Sequence, residues 1–224
     1  MAWDQLRSSY DSVAQKYEAR FVDELRDKPR DRALLAAFAE SVSDPVLEAG
    51  CGPGQVGVFV AERGRSVLGL DLRLQMARLA SGRLAAAVVG DMRRLPVADE
   101  RLGGLVAFYS VIHARRSELG GALEEFRRVL RPGGRVLIAV HEGQGEIERD
   151  QFLEEDAPFV ATLFELDELF EACQAAGLTV LHSERRAPYA TESTVRLWAE
   201  AARPASSSEP DALSMGRRHE SGPT

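Results

Sequence analysis

The chain has few of the residues on which disulfide-rich and metal-binding proteins depend. Its 224 residues include only two cysteines, Cys51 and Cys173, and neither has a second cysteine or a histidine at metal-ligand spacing. Disulfides belong to oxidising compartments, so two isolated cysteines favour free thiols in a reducing one. The sequence therefore predicts neither a disulfide nor a metal site, and we expect a cytoplasmic protein.

Long apolar runs and clustered positive charges are also missing. No apolar stretch reaches the roughly 18 residues of a membrane-spanning helix, and the N-terminus lacks a basic start followed by an apolar run. The formal net charge is −7, whereas nucleic-acid binding draws on clustered cations. We therefore expect no membrane and no nucleic-acid partner. The arginines occur in scattered pairs that favour solvated faces: Arg93-Arg94, Arg115-Arg116, Arg127-Arg128 and Arg185-Arg186.

Residues 46–54, VLEAGCGPG, are the most informative stretch of the chain. Val46 and Leu47 favour a buried strand, and three glycines follow where the backbone has to turn tightly and a ligand has to approach. The next residues have apolar side chains at helical spacing, so the turn leads into a helix. A strand, a glycine turn and a helix in this order predict a nucleotide-sized site.

The spacing of the glycines limits which nucleotide is expected. Counting from Gly50, the register is G-x-G-x-G, because Gln55 stands where the third glycine of a dinucleotide fingerprint belongs. A second predicted strand, 66–70, ends in Asp71, about 21 residues after Gly50 and near the spacing at which a carboxylate meets a ribose hydroxyl. The pattern thus predicts a ribose without requiring a pyrophosphate.

Four blocks, in this order and spacing, resemble the motif series of class I S-adenosylmethionine-dependent methyltransferases. They are VLEAGCGPG, VLGLDLRLQM, VVGDM and LRPGGRVLIAV, and the likeness covers roughly residues 40–200. The resemblance is to small-molecule, bacterial members of the family. It implies an α/β fold with a doubly wound, seven-stranded Rossmann-like sheet of order 3-2-1-4-5-7-6, the last strand antiparallel, and an N-terminal helical lid.

The resemblance also implies S-adenosylmethionine as the cofactor and S-adenosylhomocysteine as its product. The glycine turn and the acid before it would hold the methionine end, the acid after the second strand the ribose, and the following residues the adenine. The predicted cofactor residues are Glu48, Ala49, Gly50, Gly52, Gly54, Asp71, Leu72, Met76, Gly90, Asp91 and Met92, together with Phe108 and Tyr109 at the end of the fourth strand.

The N-terminal segment has aromatic residues at alternating steps of three and four, which predicts an amphipathic helix. Tyr10 and Tyr17 lie two turns apart on one face, and packing on the sheet alone would explain them. Residues 10–17 also resemble the Y-D-x-x-A-x-x-Y segment of the family, which covers the cofactor. We therefore predict a lid over residues 1–43, a methyltransferase domain over 44–202 and a disordered tail over 203–224.

Two histidines follow predicted strands on the ligand side. His113 comes after the fourth strand, 104–110, and His141 after the fifth, 135–140, and both titrate in the useful range when unperturbed. Each taken singly is as well explained by a structural hydrogen bond. Their convergence on one rim predicts that one of them is a base or orients the acceptor. Further side chains reach this rim, although each also suits an exposed surface: Glu142, Tyr189, Glu192 and Arg196.

The sequence thus predicts a cytoplasmic methyltransferase, a monomer or homodimer, that acts on a small-molecule acceptor. Three alternatives stay open. An NAD(P)-dependent oxidoreductase is disfavoured by the glycine register and by the absence of a Tyr-x-x-x-Lys pair. A protein of the same fold that binds the cofactor without methyl transfer, or uses it for another reaction, would have the same motifs. An RNA methyltransferase is disfavoured by the acidic balance.

Overall fold

The computed structural model describes residues 6–190 and 192–205. Six α-helices lie in this part of the chain: α1 Leu6–Phe21, α2 Pro29–Ser41, α3 Gln55–Ala61, α4 Leu74–Ser81, α5 Leu119–Val129 and α6 Leu166–Ala175. Nine strands alternate with them: β1 Val46–Ala49, β2 Val67–Asp71, β3 Ala86–Val89, β4 Leu102–Phe108, β5 Leu130–His141, β6 Glu146–Arg149, β7 Phe159–Thr162, β8 Thr179–Arg186 and β9 Arg196–Ala202.

Seven of the strands form one sheet in the order β3-β2-β1-β4-β5-β9-β8. The first five pair in parallel, and β9 pairs antiparallel with both β5 and β8. Strands β8 and β9 are the sixth and seventh strands of the prediction, so the predicted order and the antiparallel last strand are confirmed. Strands β2 and β3 lie on one side of β1, and β4 and β5 lie on its other side, so the strand order reverses at β1. Such a reversal places a ligand-binding crevice at the carboxyl end of β1.

Helices cover both faces of the sheet, which explains the continuous apolar sequence of its central strand. Leu105 of β4 is fully buried against Phe126 and its neighbours on one face, whereas Val106 is buried with Phe38 on the other. Alternate side chains of a strand point to opposite faces, so both faces of β4 have to be apolar. The core holds the carboxyl ends of β1 and β4 side by side.

A short hairpin of β6 and β7 forms a separate two-stranded sheet, and no prediction was made for it. The sequence of β6, EIER, is mostly charged and exposed, so its pattern does not resemble that of a core strand. The hairpin contacts α1 and the 3₁₀ turn Val111–His113, and it thereby adds a wall to the ligand-binding end of the sheet.

The predicted tail lies, apart from residues 203–205, outside the described residues. Arg203 itself belongs to the folded part, which corrects the predicted boundary. Its guanidinium donates to the carbonyl oxygen of Leu130 at 2.9 Å, and its backbone N–H donates to the Gly134 carbonyl oxygen at 2.9 Å. Arginine hydrogen bonds to strand-end carbonyl groups are not visible in composition, which is why the boundary was placed too early.

Candidate active site

A cavity of about 620 Å³ opens at the carboxyl ends of β1, β2 and β4. This volume lies within the usual range of small-molecule sites. Its walls come from the glycine turn after β1, the loops after β2, β3, β4 and β5, the lid helix α1 and the β6–β7 hairpin. Within the described residues, the glycine turn and the strand-end loops that were predicted to bind a ligand therefore border one cavity.

The glycine turn leaves room that only glycine provides. Gly50 has a φ of +75°, and a Cβ added to it would lie 2.3 Å from the Cβ of Ser110. Ser110 is held there because its Oγ donates a hydrogen bond to the Ala49 carbonyl oxygen at 2.6 Å. Gly50 and Gly52 line the cavity, so their backbone can come close to a ligand.

Ala49 and Gly54 were predicted in the same turn, but they have supporting positions. Ala49 is fully buried in the core. Gly54, with a φ of +90°, begins helix α3 and faces Ala80 and Leu84 of the neighbouring segment. Neither residue is among the described residues that line the cavity, so any effect on a ligand would pass through the shape of the turn.

Glu48 and Asp71, two of the three acids predicted for the cofactor, are both buried. The Glu48 carboxylate is 3% exposed and accepts a hydrogen bond from the Gly57 N–H at 2.8 Å. Burial raises the pKa of Glu48 well above its usual value, against the opposing effect of that hydrogen bond. Asp71 accepts from the Gly52 N–H and from the Arg73 N–H, both at 2.9 Å. Asp71 therefore links the end of β2 to the glycine turn at the cavity wall.

The residues predicted to surround an adenine all line the cavity: Leu72, Met76, Gly90, Asp91 and Met92. Met76 is almost fully buried, whereas Leu72 is partly exposed. The Asp91 carboxylate is already engaged by Arg93, with Nε 2.9 Å from Oδ1 and Nη2 2.6 Å from Oδ2. Asp91 is thus held in a fixed orientation by a paired guanidinium.

His141 has partners on both ring nitrogens. Nε2 lies 3.1 Å from Nη1 of Arg196, and Nδ1 lies 3.1 Å from Oγ1 of Thr194. A guanidinium only donates, so we assign Nε2 as the acceptor and Nδ1 as the protonated nitrogen. The ring also stacks on Tyr109 at 5.3 Å. His141 therefore lines the cavity with its lone pair committed to Arg196.

His113 lies on the opposite wall. Its Nδ1 is 3.1 Å from the Val160 carbonyl oxygen, which assigns the ring proton to Nδ1 and leaves Nε2 as the lone-pair nitrogen. Burial of the ring, with a smaller contribution from the charge of Arg73, lowers the pKa of His113 to about 4. The ring packs edge-on against Phe159 of the hairpin. At neutral pH this imidazole is uncharged and only weakly basic.

The lid helix α1 lies directly over the glycine turn. A Cβ on Gly52 would come within 3.8 Å of the Tyr17 ring, and that ring also contacts Phe21 and Phe152. Lys16 forms an ion pair with Glu155 in the hairpin. Tyr17 lines the cavity, whereas the side chain of Tyr10 lies outside the described residues.

Four charged residues next to the cavity form what we call the Arg186 cluster: Lys28, Asp31, Arg186 and Glu192. Arg186 is 1% exposed and pairs with Asp31 (Nε to Oδ1, 2.8 Å) and with Glu192 (Nη1 to Oε2, 2.9 Å). Burial raises the pKa of Asp31, although the charge of Arg186 opposes this. The expectation of a solvated face was thus correct for Arg185, which is largely exposed, and wrong for Arg186. The alternation of side chains along a strand could have predicted this difference, because adjacent residues of β8 point to opposite faces of the sheet.

Of the other side chains predicted at the rim, three line the cavity: Tyr189, Glu192 and Arg196. Glu142 is instead paired with Arg185 and is not among the described lining residues. The aromatic residues Phe152 and Phe159, which stack on each other at 4.9 Å, were missed because the hairpin was missed. No group of three His, Cys, Asp or Glu side chains within the described ranges is arranged to hold a metal ion.

The fold and the cavity are those of an α/β protein with a nucleotide-sized site, and comparison with known proteins shows which proteins the chain is similar to. The profile of the family described as "Methyltransferase domain" matches residues 46–134. A malonyl-[acyl-carrier protein] O-methyltransferase from Pseudescherichia vulneris is 37% identical over 137 residues, covering 60% of this chain and 50% of the relative. An uncharacterised methyltransferase from Geobacillus kaustophilus is 27% identical, covering 61% of this chain and 64% of the relative.

Among solved structures, the 1,6-didemethyltoxoflavin-N1-methyltransferase of Burkholderia thailandensis has a TM-score of 0.70 and 25% identity, covering 90% of this chain and 88% of that one. Residues 46–134 therefore resemble a methyltransferase domain, and the fold resembles that of a methyltransferase solved with bound S-adenosylhomocysteine, in agreement with the resemblance seen in the sequence. The chain spans half to just under two thirds of the length of the curated relatives named above.

Proposed function

We propose that this protein binds S-adenosylmethionine and transfers its methyl group to a small-molecule acceptor. The observation that carries the proposal is the arrangement at the cavity of Gly50, Gly52 and Asp71. A Cβ would not fit at Gly50, and at Gly52 it would crowd a ligand. The Asp71 carboxylate next to these glycines is held rigidly by two backbone N–H groups. This is the chemistry required to hold a ribose beside a close backbone contact.

In this proposal the remaining cofactor residues keep their predicted roles. The turn and Glu48 hold the methionine end, Asp71 the ribose hydroxyls, and Leu72, Met76 and the segment 90–92 the adenine. The bound cofactor supplies an electrophilic methyl group on a positively charged sulfur. The protein has to align the acceptor and exclude water, and the lid helix with Tyr17 lies where it would do so.

The two histidines take different parts in the proposal. His141 accepts a hydrogen bond from Arg196 and so positions that guanidinium and the stacked Tyr109 ring. His113 carries its lone pair on Nε2, and with a pKa of about 4 it favours acceptors that give up a proton easily or carry none. Of the two, His113 is our candidate base.

We propose a small acceptor because the lid and the hairpin both narrow the cavity that they border. The similar proteins include a malonyl-[acyl-carrier protein] O-methyltransferase and a 1,6-didemethyltoxoflavin-N1-methyltransferase, and the bound 1,6-didemethyltoxoflavin of the second is a small molecule. No described helix combines the length and apolarity that crossing a bilayer would require. A cytoplasmic monomer or homodimer without a nucleic-acid partner stays part of the proposal.

The test is calorimetric titration of the purified protein with S-adenosylmethionine, S-adenosylhomocysteine and NADH, repeated on Asp71→Ala. We expect both adenosyl ligands to bind wild type and to bind the variant at least tenfold more weakly, with no NADH binding. Incubation with labelled S-adenosylmethionine and an acceptor library, followed by mass spectrometry, then looks for methylated products. Binding of NADH alone would contradict the cofactor assignment, and cofactor binding without any methylated product would favour a non-transferring protein.

A further inference from the structure

Arg196 is one of the cations at the wall of the cavity. It is the first residue of β9, lines the cavity, and its side chain is 11% exposed. Nη1 donates to Nε2 of His141 at 3.1 Å and to Oγ1 of Thr194 at 3.0 Å. The guanidinium carbon lies 5.0 Å from the Tyr109 ring centroid. His141, Thr194 and the Tyr109 ring thus hold the guanidinium in one orientation.

The hydrogen-bonding capacity of this guanidinium is only partly used. A guanidinium has five N–H donors, and no hydrogen bond from Nε or Nη2 of Arg196 is formed within residues 13–190 and 192–205. The nearest acid oxygen, Oε2 of Glu192, is 3.4 Å from the buried Nε and accepts a hydrogen bond from Arg186 at 2.9 Å. The donors on Nη2 thus form no hydrogen bond within these ranges, and the residue lines the cavity.

Arg196 shares its nearest acid, Glu192, with Arg186. Arg186 hydrogen-bonds both Asp31 and Glu192, and Lys28 pairs with Glu24 at 2.6 Å. These three acids and three cations balance in number, but Arg196 is the cation among them that donates no hydrogen bond to an acid. Burial lowers the pKa of Arg196, yet a guanidinium stays charged in proteins. A partly desolvated cation of this kind favours an anionic ligand.

We propose that the methyl acceptor carries an ionised carboxylate and that this group binds Nη2 of Arg196. The inference rests on the proposed function and names the class of its acceptor. Charge-assisted hydrogen bonds between guanidinium and carboxylate are short and strong. An anion is also attracted to the positively charged sulfur of a bound donor, so the acceptor and the cofactor stabilise each other in the cavity. His141 acts as a positioning residue that keeps Arg196 turned toward the acceptor.

The test uses pairs of a carboxylic acid and its amide as probes: benzoate with benzamide, and indole-3-carboxylate with indole-3-carboxamide. Each is titrated into the protein saturated with S-adenosylhomocysteine. We expect at least one acid to bind at least tenfold more tightly than its amide. Arg196→Met should weaken acid binding by about tenfold to a hundredfold and leave amide binding unchanged. Arg196→Lys, which keeps the charge, should recover part of the acid affinity.

Arg135→Met is the matched control. Arg135 of β5 pairs with Glu200 of β9, the strand that carries Arg196. Arg135 is not among the described lining residues, so its loss should change the binding of neither probe. Equal affinity for acid and amide, unchanged acid binding in Arg196→Met, or no acid binding at all by wild type would each overturn the inference. S-adenosylhomocysteine binding is measured first for every variant, so that a failure of the cofactor assignment is distinguished from a failure of this inference. If S-adenosylhomocysteine does not bind, the same acid and amide titrations are made on the protein without it.

Discussion

The Asp71 carboxylate accepts a hydrogen bond from the Gly52 N–H at 2.9 Å through Oδ2, while Oδ1 accepts one from the Arg73 N–H at 2.9 Å. Both oxygens of one side chain are therefore required as acceptors. This pair joins the second strand to the turn after the first, although the two residues are 19 positions apart. The turn and the predicted ribose contact are consequently one structural unit.

Asp71→Asn should lower both the stability of the protein and its cofactor affinity, although the two side chains have nearly the same shape. The amide replaces one acceptor by an NH₂ group, which would then face a backbone N–H donor. Leaving a buried donor unsatisfied costs about 1–3 kcal/mol, and S-adenosylhomocysteine affinity should fall with it. Urea unfolding and calorimetry measure both effects. Asp167→Asn, at an exposed position of α6, is the control, and equal stability of the two variants would contradict the prediction.

Gly50→Ala and Gly64→Ala separate backbone strain from steric overlap. Both glycines have positive φ, +75° and +83°, but a Cβ at position 50 would meet Ser110 at 2.3 Å, whereas at position 64 nothing lies within 4 Å. The left-handed conformation costs about 1–2 kcal/mol in each variant, and overpacking adds about 1–3 kcal/mol at position 50. We expect Gly64→Ala to keep cofactor affinity and Gly50→Ala to lose it. Chemical unfolding and calorimetry give the comparison, and identical losses would show that sterics play no part.

His113 should make the fold sensitive to mild acid. Its pKa is about 4 in the folded protein, below the usual 6.5, so between these pH values the unfolded chain binds more protons. Stability therefore rises with pH over this window and falls as pH drops from 6.5 to 4, by about 3 kcal/mol from this group. In His113→Asn the side-chain amide can still donate to Val160. The stability difference between wild type and variant should change across this window, and a constant difference would refute the assignment.

Removing Arg186 should destabilise the protein more than most single changes do. Arg186→Met removes the cation that hydrogen-bonds both Asp31 and Glu192, and breaking such a buried pair typically costs about 3–5 kcal/mol. Arg26→Met removes an exposed pair with Asp23 and should cost less than about 1 kcal/mol. Urea unfolding distinguishes the two. Similar losses in both variants would mean that the Arg186 cluster contributes no more than a surface pair.

The lid can be tested at Tyr17. Tyr17→Ala removes the ring that lies over Gly52 and packs on Phe21 and Phe152, and we expect about tenfold weaker binding of S-adenosylhomocysteine. Lys16→Met, which removes the neighbouring ion pair with Glu155 but keeps the ring, should bind nearly as well as wild type. Calorimetric affinity of the two variants is the measurement. Wild-type affinity in Tyr17→Ala would end the lid hypothesis.

Local pattern was sufficient for most of the sheet and insufficient for the walls of the cavity. Strands such as β4 are recognisable because burial on both faces requires a continuous apolar run. The β6–β7 hairpin has no such requirement, since β6 is largely exposed, and its two aromatic wall residues were missed with it. Arg203 was assigned to a tail for a similar reason: its partners are carbonyl groups of a strand more than 70 positions away.

The sequence by itself determined the glycine turn and the acid after the second strand, which depend on residues that are close together in the chain. The order of the sheet and the kind of cofactor were implied by the resemblance of four short blocks to a known family. Only the tertiary structure decided how His113, His141 and Arg186 are used. Arg186 meets Asp31 across 155 positions, and His141 meets Arg196 across 55. The protonation and charge of a side chain depend on its partners in space, and no local pattern specifies these partners.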